Sequence, residues 1–252
     1  MIFSIITTWF VTKQLPFGST YMVVAAIIIF VLVLSLASNF QKDLTHHSEK
    51  NGHSRTEWNM GIILTGVSLL LFMLAKISMF IWAPQYVEQR FNVGSNSSGQ
   101  FMSNIFTAAL IGSLAGTWLV SRIKVKYLLY VFVTVSAVSV YLLTRATSID
   151  TMLFLALVYG ISISATFNAY VAFSLTFVSI PTHRNIAYML LMSALGSTGA
   201  PYFSSLVVKT TGNIEDALMF TFITLLVVIA TLVACELLNR SRVNKPLSNG
   251  PG

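Results

Sequence analysis

The sequence predicts an all-α membrane protein, and three observations predict it. Of the 252 residues, 55% are hydrophobic and 9% charged, against about 25% charged in soluble domains. Apolar stretches recur at about the twenty-residue length that crosses a bilayer as a helix. One of them, Thr151 to Ile180, holds no Asp, Glu, Lys or Arg. Finally, no period-2 alternation is visible. In lipid every backbone polar group must be satisfied internally, which leaves helices or a closed barrel. Barrel strands alternate apolar and polar over about ten residues, and these stretches do not.

Seven spans are expected, at residues 21–38, 60–82, 101–121, 127–145, 152–178, 186–208 and 217–238. Ahead of them, Met1 to Thr12 is an apolar stub too short to cross. The lipid bilayer is thus the first partner. Residues 39–59 read NFQKDLTHHSEKNGHSRTEWN, a polar linker between two membrane units, and the polar tail 239–252 carries Pro246 and Pro251. The outer loop is expected to begin at Pro84 and run to residue 100.

Orientation follows from Lys and Arg in short loops. Ten lie on the side of the 39–59 linker: Lys42, Lys50, Arg55, Arg122, Lys124, Lys126, Arg184, Arg240, Arg242 and Lys245. Four lie opposite: Lys13, Arg90, Arg145 and Lys209. This bias puts the linker and the C-terminus in the cytoplasm.

Several function classes are excluded. The net charge of +7 does not signal nucleic acid, because the basic residues sit at span ends and in loops. The single Cys235 excludes an intramolecular disulfide and a multi-cysteine zinc site. His46, His47 and His53 lack zinc-finger spacing. No phosphate-cradling glycine loop, GxSxG elbow, HExxH or embedded Asp or His pair is present. The expectation is no enzyme, no catalytic residue, no metal and no cofactor.

The candidate residues are polar or small groups inside spans. Lys76 is the one charge well inside an apolar stretch, about six residues from the expected outer end of its span. An ionisable group there is costly and by default a functional hypothesis. It either snorkels or pairs structurally, or faces a water-filled cavity and binds an anionic group. Asn104 and Asn168, the latter close to Tyr170, either bond between helices or touch substrate. Ala108, Gly112 and Gly116 recur every four residues, a face along which two helices approach closely. Gly199 and Pro201 mark an expected bend or unwinding, because proline removes a donor; such a break either lines a substrate path or is structural.

The order of segments, a cytoplasmic linker followed by six spans, resembles the C-terminal half of a major facilitator superfamily transporter. The closest resemblance is to the TsgA type, in the branch that also holds the fucose permeases. The residues carrying it are EWNMGIILTGVSLLLFMLAK leading to FIWAPQYVEQ, MSNIF with Asn104, SIPTHRNIAY with Pro181 and Asn185, and the GSTGAP region. It covers most of 57–238, with 1–38 matching the end of helix five and helix six. GTWLVSRIKVK keeps Gly116, Arg122, Lys124 and Lys126 of the family's loop signature but lacks its acidic member. Where this chain has Lys76, the related proteins carry a neutral glutamine. The resemblance implies secondary transport of a small, unidentified solute across the cytoplasmic (inner) membrane, with Lys76, Asn104, Asn168 and Tyr170 lining the cavity. Such transporters have two halves, so the chain is expected to be a fragment, a truncated product or a protein needing its N-terminal half. The alternative is a truncated membrane protein that packs with a partner without transporting.

Overall fold

The structure, a computed structural model, describes residues 58–120, 122–178 and 182–243 and six helical positions between Met22 and Val33. The chain divides into two compact units, residues 1–55 and 56–252. In the first, the described positions Met22, Ala25, Ala26, Ile29, Phe30 and Val33 are helical and exposed. The stub and the 39–57 part of the linker lie outside the described residues, as does most of the 21–38 span.

The second unit is a helical bundle: α1 (Met60–Phe91), α2 (Ser95–Val120), α3 (Val125–Arg145), α4 (Ile149–Ser164), α5 (Thr166–Leu175), α6 (His183–Thr211) and α7 (Glu215–Val243). Among the described residues, four stretches are long and apolar enough to cross a membrane: Met60–Phe91, Val125–Arg145, Ile149–Leu175 and Glu215–Leu238. The third of these joins α4 and α5. The other two helices, α2 and α6, have 26 and 29 residues, enough to cross at 1.5 Å per residue. They carry more Ser, Thr and Asn, which lowers their hydropathy.

Local chemistry starts and stops these helices. The Asn59 side chain accepts from the Gly61 amide at the start of α1. Asn185 Oδ1 accepts from both the amide (3.1 Å) and the hydroxyl (2.6 Å) of Thr182, closing a capping box on α6. Asn213 Oδ1 caps the Glu215 amide at 3.0 Å. Gly212 ends α6 at φ 74°, a left-handed conformation that glycine adopts without a Cβ penalty.

Two boundaries differ from expectation. The outer loop does not begin at Pro84: α1 runs through that proline to Phe91, and the connection shrinks to residues 92–94. Packing overrides the proline here. Tyr86 and Val87 beyond it are buried, and the Tyr86 hydroxyl donates to the Thr144 carbonyl at 3.4 Å. At the other end, α7 continues to Val243, past the expected boundary at residue 238.

The bundle closes by an exchange between two groups of three spans. The first helix of one group, α1, packs on the last two of the other, α6 and α7; the α4 end of the second group packs on α2 and α3. Lipid supplies no hydrophobic drive between helices, so close contact relies on small residues. A Cβ on Gly112 would stand 2.6 Å from Ser164 Oγ and 2.9 Å from the Ile161 Cα, and one on Gly116 2.5 Å from the Ala165 Cβ. In return, a Cβ on Gly160 of α4 would strike the Ile105 carbonyl and the Ala108 methyl. The Ala108–Gly112–Gly116 face is thus seated on α4. Across the bundle, Gly196 of α6 abuts the Leu70 carbonyl of α1 in the same way.

Gly112→Ala is expected to cost about 1–3 kcal/mol, the range for overpacking against backbone. Gly99→Ala on the same helix, where nothing lies within 4 Å, should change stability by less than about 0.5 kcal/mol. Denaturant unfolding of the two variants in detergent checks the contrast.

Candidate functional site

Lys76 sits nearer the middle of its helix than the expected span placed it. Because α1 continues past Trp82, Lys76 stands sixteen residues after Met60 and fifteen before Phe91, about 22 Å of helix from either end. It is half-buried, and its Nζ lies 5.9 Å from the centroid of the Phe80 ring, four residues on. Phe80 in turn stacks on Phe106 of α2 with centroids 5.5 Å apart. Lys76 thus flanks an aromatic pair that bridges α1 and α2. The ion pairs among the described residues are elsewhere: Arg90 with Glu215 at 4.0 Å, and Lys126 with Glu236 at 3.0 Å. Neither ion pair involves Lys76.

The other expected polar residues are dispersed. Asn104 Nδ2 donates to the Leu153 carbonyl at 3.3 Å, tying α2 to α4. Tyr170 is fully buried inside the bundle. Its hydroxyl meets Ser68 Oγ at 3.0 Å, and its ring tilts against Phe72 at 5.7 Å. Ser68, Phe72, Lys76 and Phe80 recur every four residues and climb one side of α1. Tyr170 therefore meets the same side of α1 as Lys76, two turns lower. Asn168 is exposed. Residues two apart on a helix point to different sides, so the inward Tyr170 turns Asn168 outward.

Gly199 and Pro201 lie within an unbroken α6, so the chain is not unwound there. The interruption falls instead at Ala165, with φ −96° and ψ 1°, between α4 and α5. Breaks inside a membrane persist where side chains satisfy the freed backbone groups. Here Ser162 Oγ donates to the Tyr159 carbonyl, Ser164 Oγ to Ile161 and Thr166 Oγ1 to Ser162, each at 2.7 Å. Ser162 also meets Ser136 of α3 at 2.7 Å. The signal was the hydroxyl-rich run Ser162–Thr166, inside a stretch read as one continuous span. Asn168 sits in the first turn after the break, a position where interrupted helices in transporters place binding groups.

A second feature uses none of the expected residues. A cavity of about 470 Å³ opens among the ends of α3, α5 and α7, with Lys124, Lys126 and Glu236 on one side and Phe173 and Phe177 on the other.

Comparison with known proteins gives these features a setting. The family described as "Uncharacterised MFS-type transporter YbfB" matches residues 2–235. A TsgA homolog of Buchnera aphidicola subsp. Acyrthosiphon pisum (strain Tuc7) is 21% identical over 213 residues, 84% of this chain and 54% of the relative. One from Buchnera aphidicola subsp. Schizaphis graminum is 22% identical over 242 residues, 96% and 61% respectively. One from Yersinia enterocolitica is 18% identical over 199 residues, 78% and 50%. The chain spans about half the length of the curated relatives it matches. With a helical bundle holding four apolar spans among the described residues and a family match over nearly its whole length, this multi-pass membrane protein belongs to the major facilitator family described as YbfB-type transporters.

Proposed function

We propose that the chain acts as the C-terminal half of a secondary transporter for a small solute, with residues 60–238 as the six-span bundle. The observation that carries this reading is Lys76. A cation at the middle of an apolar helix, beside an aromatic pair and without a carboxylate partner among the described residues, is stable only if water or an anion reaches it. The structural alternative is snorkelling toward the end of the apolar stretch near Trp82. Lys76 would hold the anionic part of the solute, with Phe80 and Phe106 against its apolar part. Asn168, at the break, would present a second polar contact from α5. Asn104 and Tyr170 would shape the same cavity through the helices they tie together, and Gly199 and Pro201 would let α6 flex. A missing N-terminal half would supply the opposing wall, since alternating access rocks one half against the other.

The same reading sets this bundle in the cytoplasmic membrane with the C-terminus inside. Cys235 is buried, so it should give no background in maleimide labelling. A membrane-impermeant maleimide is expected to label Thr211→Cys in intact cells and Lys124→Cys only after lysis.

Transport is tested by uptake of labelled small organic anions in cells expressing the chain together with the N-terminal half of a TsgA homolog. Lys76→Gln should lower uptake about tenfold, the loss of one charge-assisted contact of about 1.5 kcal/mol. Uptake by the chain alone would sink the proposal that it needs a partner half. Tyr170→Phe, which strands Ser68, should cost about 0.6–1.7 kcal/mol in stability and leave uptake within about twofold of the parent chain once expression is matched.

A further inference from the structure

We infer that the cavity between the ends of α3, α5 and α7 is a binding site for the headgroup of an anionic phospholipid. Its volume, about 470 Å³, lies within the range of about 300–1,000 Å³ that small-ligand sites occupy. Its two walls differ in chemistry. One is cationic: Lys124 is exposed, and Lys126, half-buried, pairs with Glu236 Oε1 at 3.0 Å. Glu236 is held in turn by the Tyr130 hydroxyl, which reaches Oε2 at 3.2 Å and the Leu232 carbonyl at 2.9 Å. Lys126 is thus paired with Glu236, and Lys124 lines the same cavity as a second lysine. The other wall is apolar: Phe173 and Phe177 meet edge-to-face at 5.0 Å, and a Cβ on Gly61 would stand 2.6 Å from the Phe177 ring, so α1 holds that wall in place.

Among the described residues, the one acidic group lining this cavity is Glu236. Lys124 occupies the cap position of α3, which has no side-chain cap and no acidic residue in its first turn. Arg122, two residues earlier, adds a third cation beside exposed Trp118. Cations at the positive end of a helix dipole are unfavourably placed, so an external anion relieves both the dipole and the lysines. A soluble anion would use the cationic wall alone. An amphiphile uses both walls, and exposed Tyr127 and Val131 continue an apolar surface along α3 for its acyl chain. Basic pockets between transmembrane helices on the cytoplasmic side are where anionic headgroups bind. That this is the cytoplasmic end rests on the orientation proposed above.

Native mass spectrometry of the full chain, released from micelles containing equimolar phosphatidylglycerol and phosphatidylcholine of the same acyl chains, tests the site. Phosphatidylglycerol should be retained in preference. Lys124→Gln should lower that preference about fivefold, while Lys124→Arg should keep it, as should Lys209→Gln at the far end of α6. Equal retention of the two lipids, a preference unchanged in Lys124→Gln, or an equal loss in Lys209→Gln overturns the assignment. Displacement by excess inorganic phosphate also overturns it, in favour of a soluble anion. Binding in micelles does not depend on orientation, which the maleimide experiment reads separately, so the two can fail independently.

Discussion

The structure depends on how closely α2 and α4 approach. In water, apolar side chains drive helices together; in lipid that drive is gone, and contact rests on packing and hydrogen bonds. Gly112, Gly116 and Gly160 remove the side chains that would hold the two backbones apart. The Asn104 to Leu153 bond then ties the same pair further along. The Gly116 face lies against Ala165, where the span is interrupted. The hydroxyls of Ser162, Ser164 and Thr166 satisfy carbonyls at that interruption, so the break carries little penalty. Close packing and the broken helix are thus one local arrangement, and it sets which way α5 projects its side chains.

On the other flank α1 is the shared element, touching α5, α6 and α7. Its interior side carries Ser68 and Phe72 against Tyr170, then Lys76 and Phe80 toward α2. The lower half of this stripe is satisfied within the protein. The upper half offers a cation and an aromatic surface with no counter-charge among the described residues. One helix therefore combines a structural and a chemically open segment.

Much of this was legible in the sequence. Missing charges gave the class, and four-residue spacing of Ala108, Gly112 and Gly116 marked a packing face that needs no knowledge of its partner. What escaped depended on partners distant in the chain. Pro84 read as a stop because proline usually ends a helix, yet burial of Tyr86 and Val87 against the bundle extends α1 past it. That extension moved Lys76 from near a helix end to its middle. Gly199 and Pro201 mark an expected bend or unwinding, and α6 stays helical across both; the helix is interrupted at Ala165, where neither residue type occurs. Hydroxyl groups that compete for backbone carbonyls are a weaker local signal than proline, and they act here because α2 crowds the same spot. Tyr170 and Asn168, two residues apart, read as one constellation; helix geometry sends them to different sides.

The exchange between the two groups of spans has a consequence for biosynthesis. The contacts that bury α1 come mainly from α6 and α7, which emerge from the ribosome more than a hundred residues later. Until then, among the described residues, its contacts include those with α2, α3 and α5, such as Tyr86 on Thr144 and Ser68 on Tyr170. Long-range closure of this kind slows folding and leaves intermediates that are open to the wrong partners. The helix with the costliest side chain is therefore inserted early and completes its packing last, when α6 and α7 arrive.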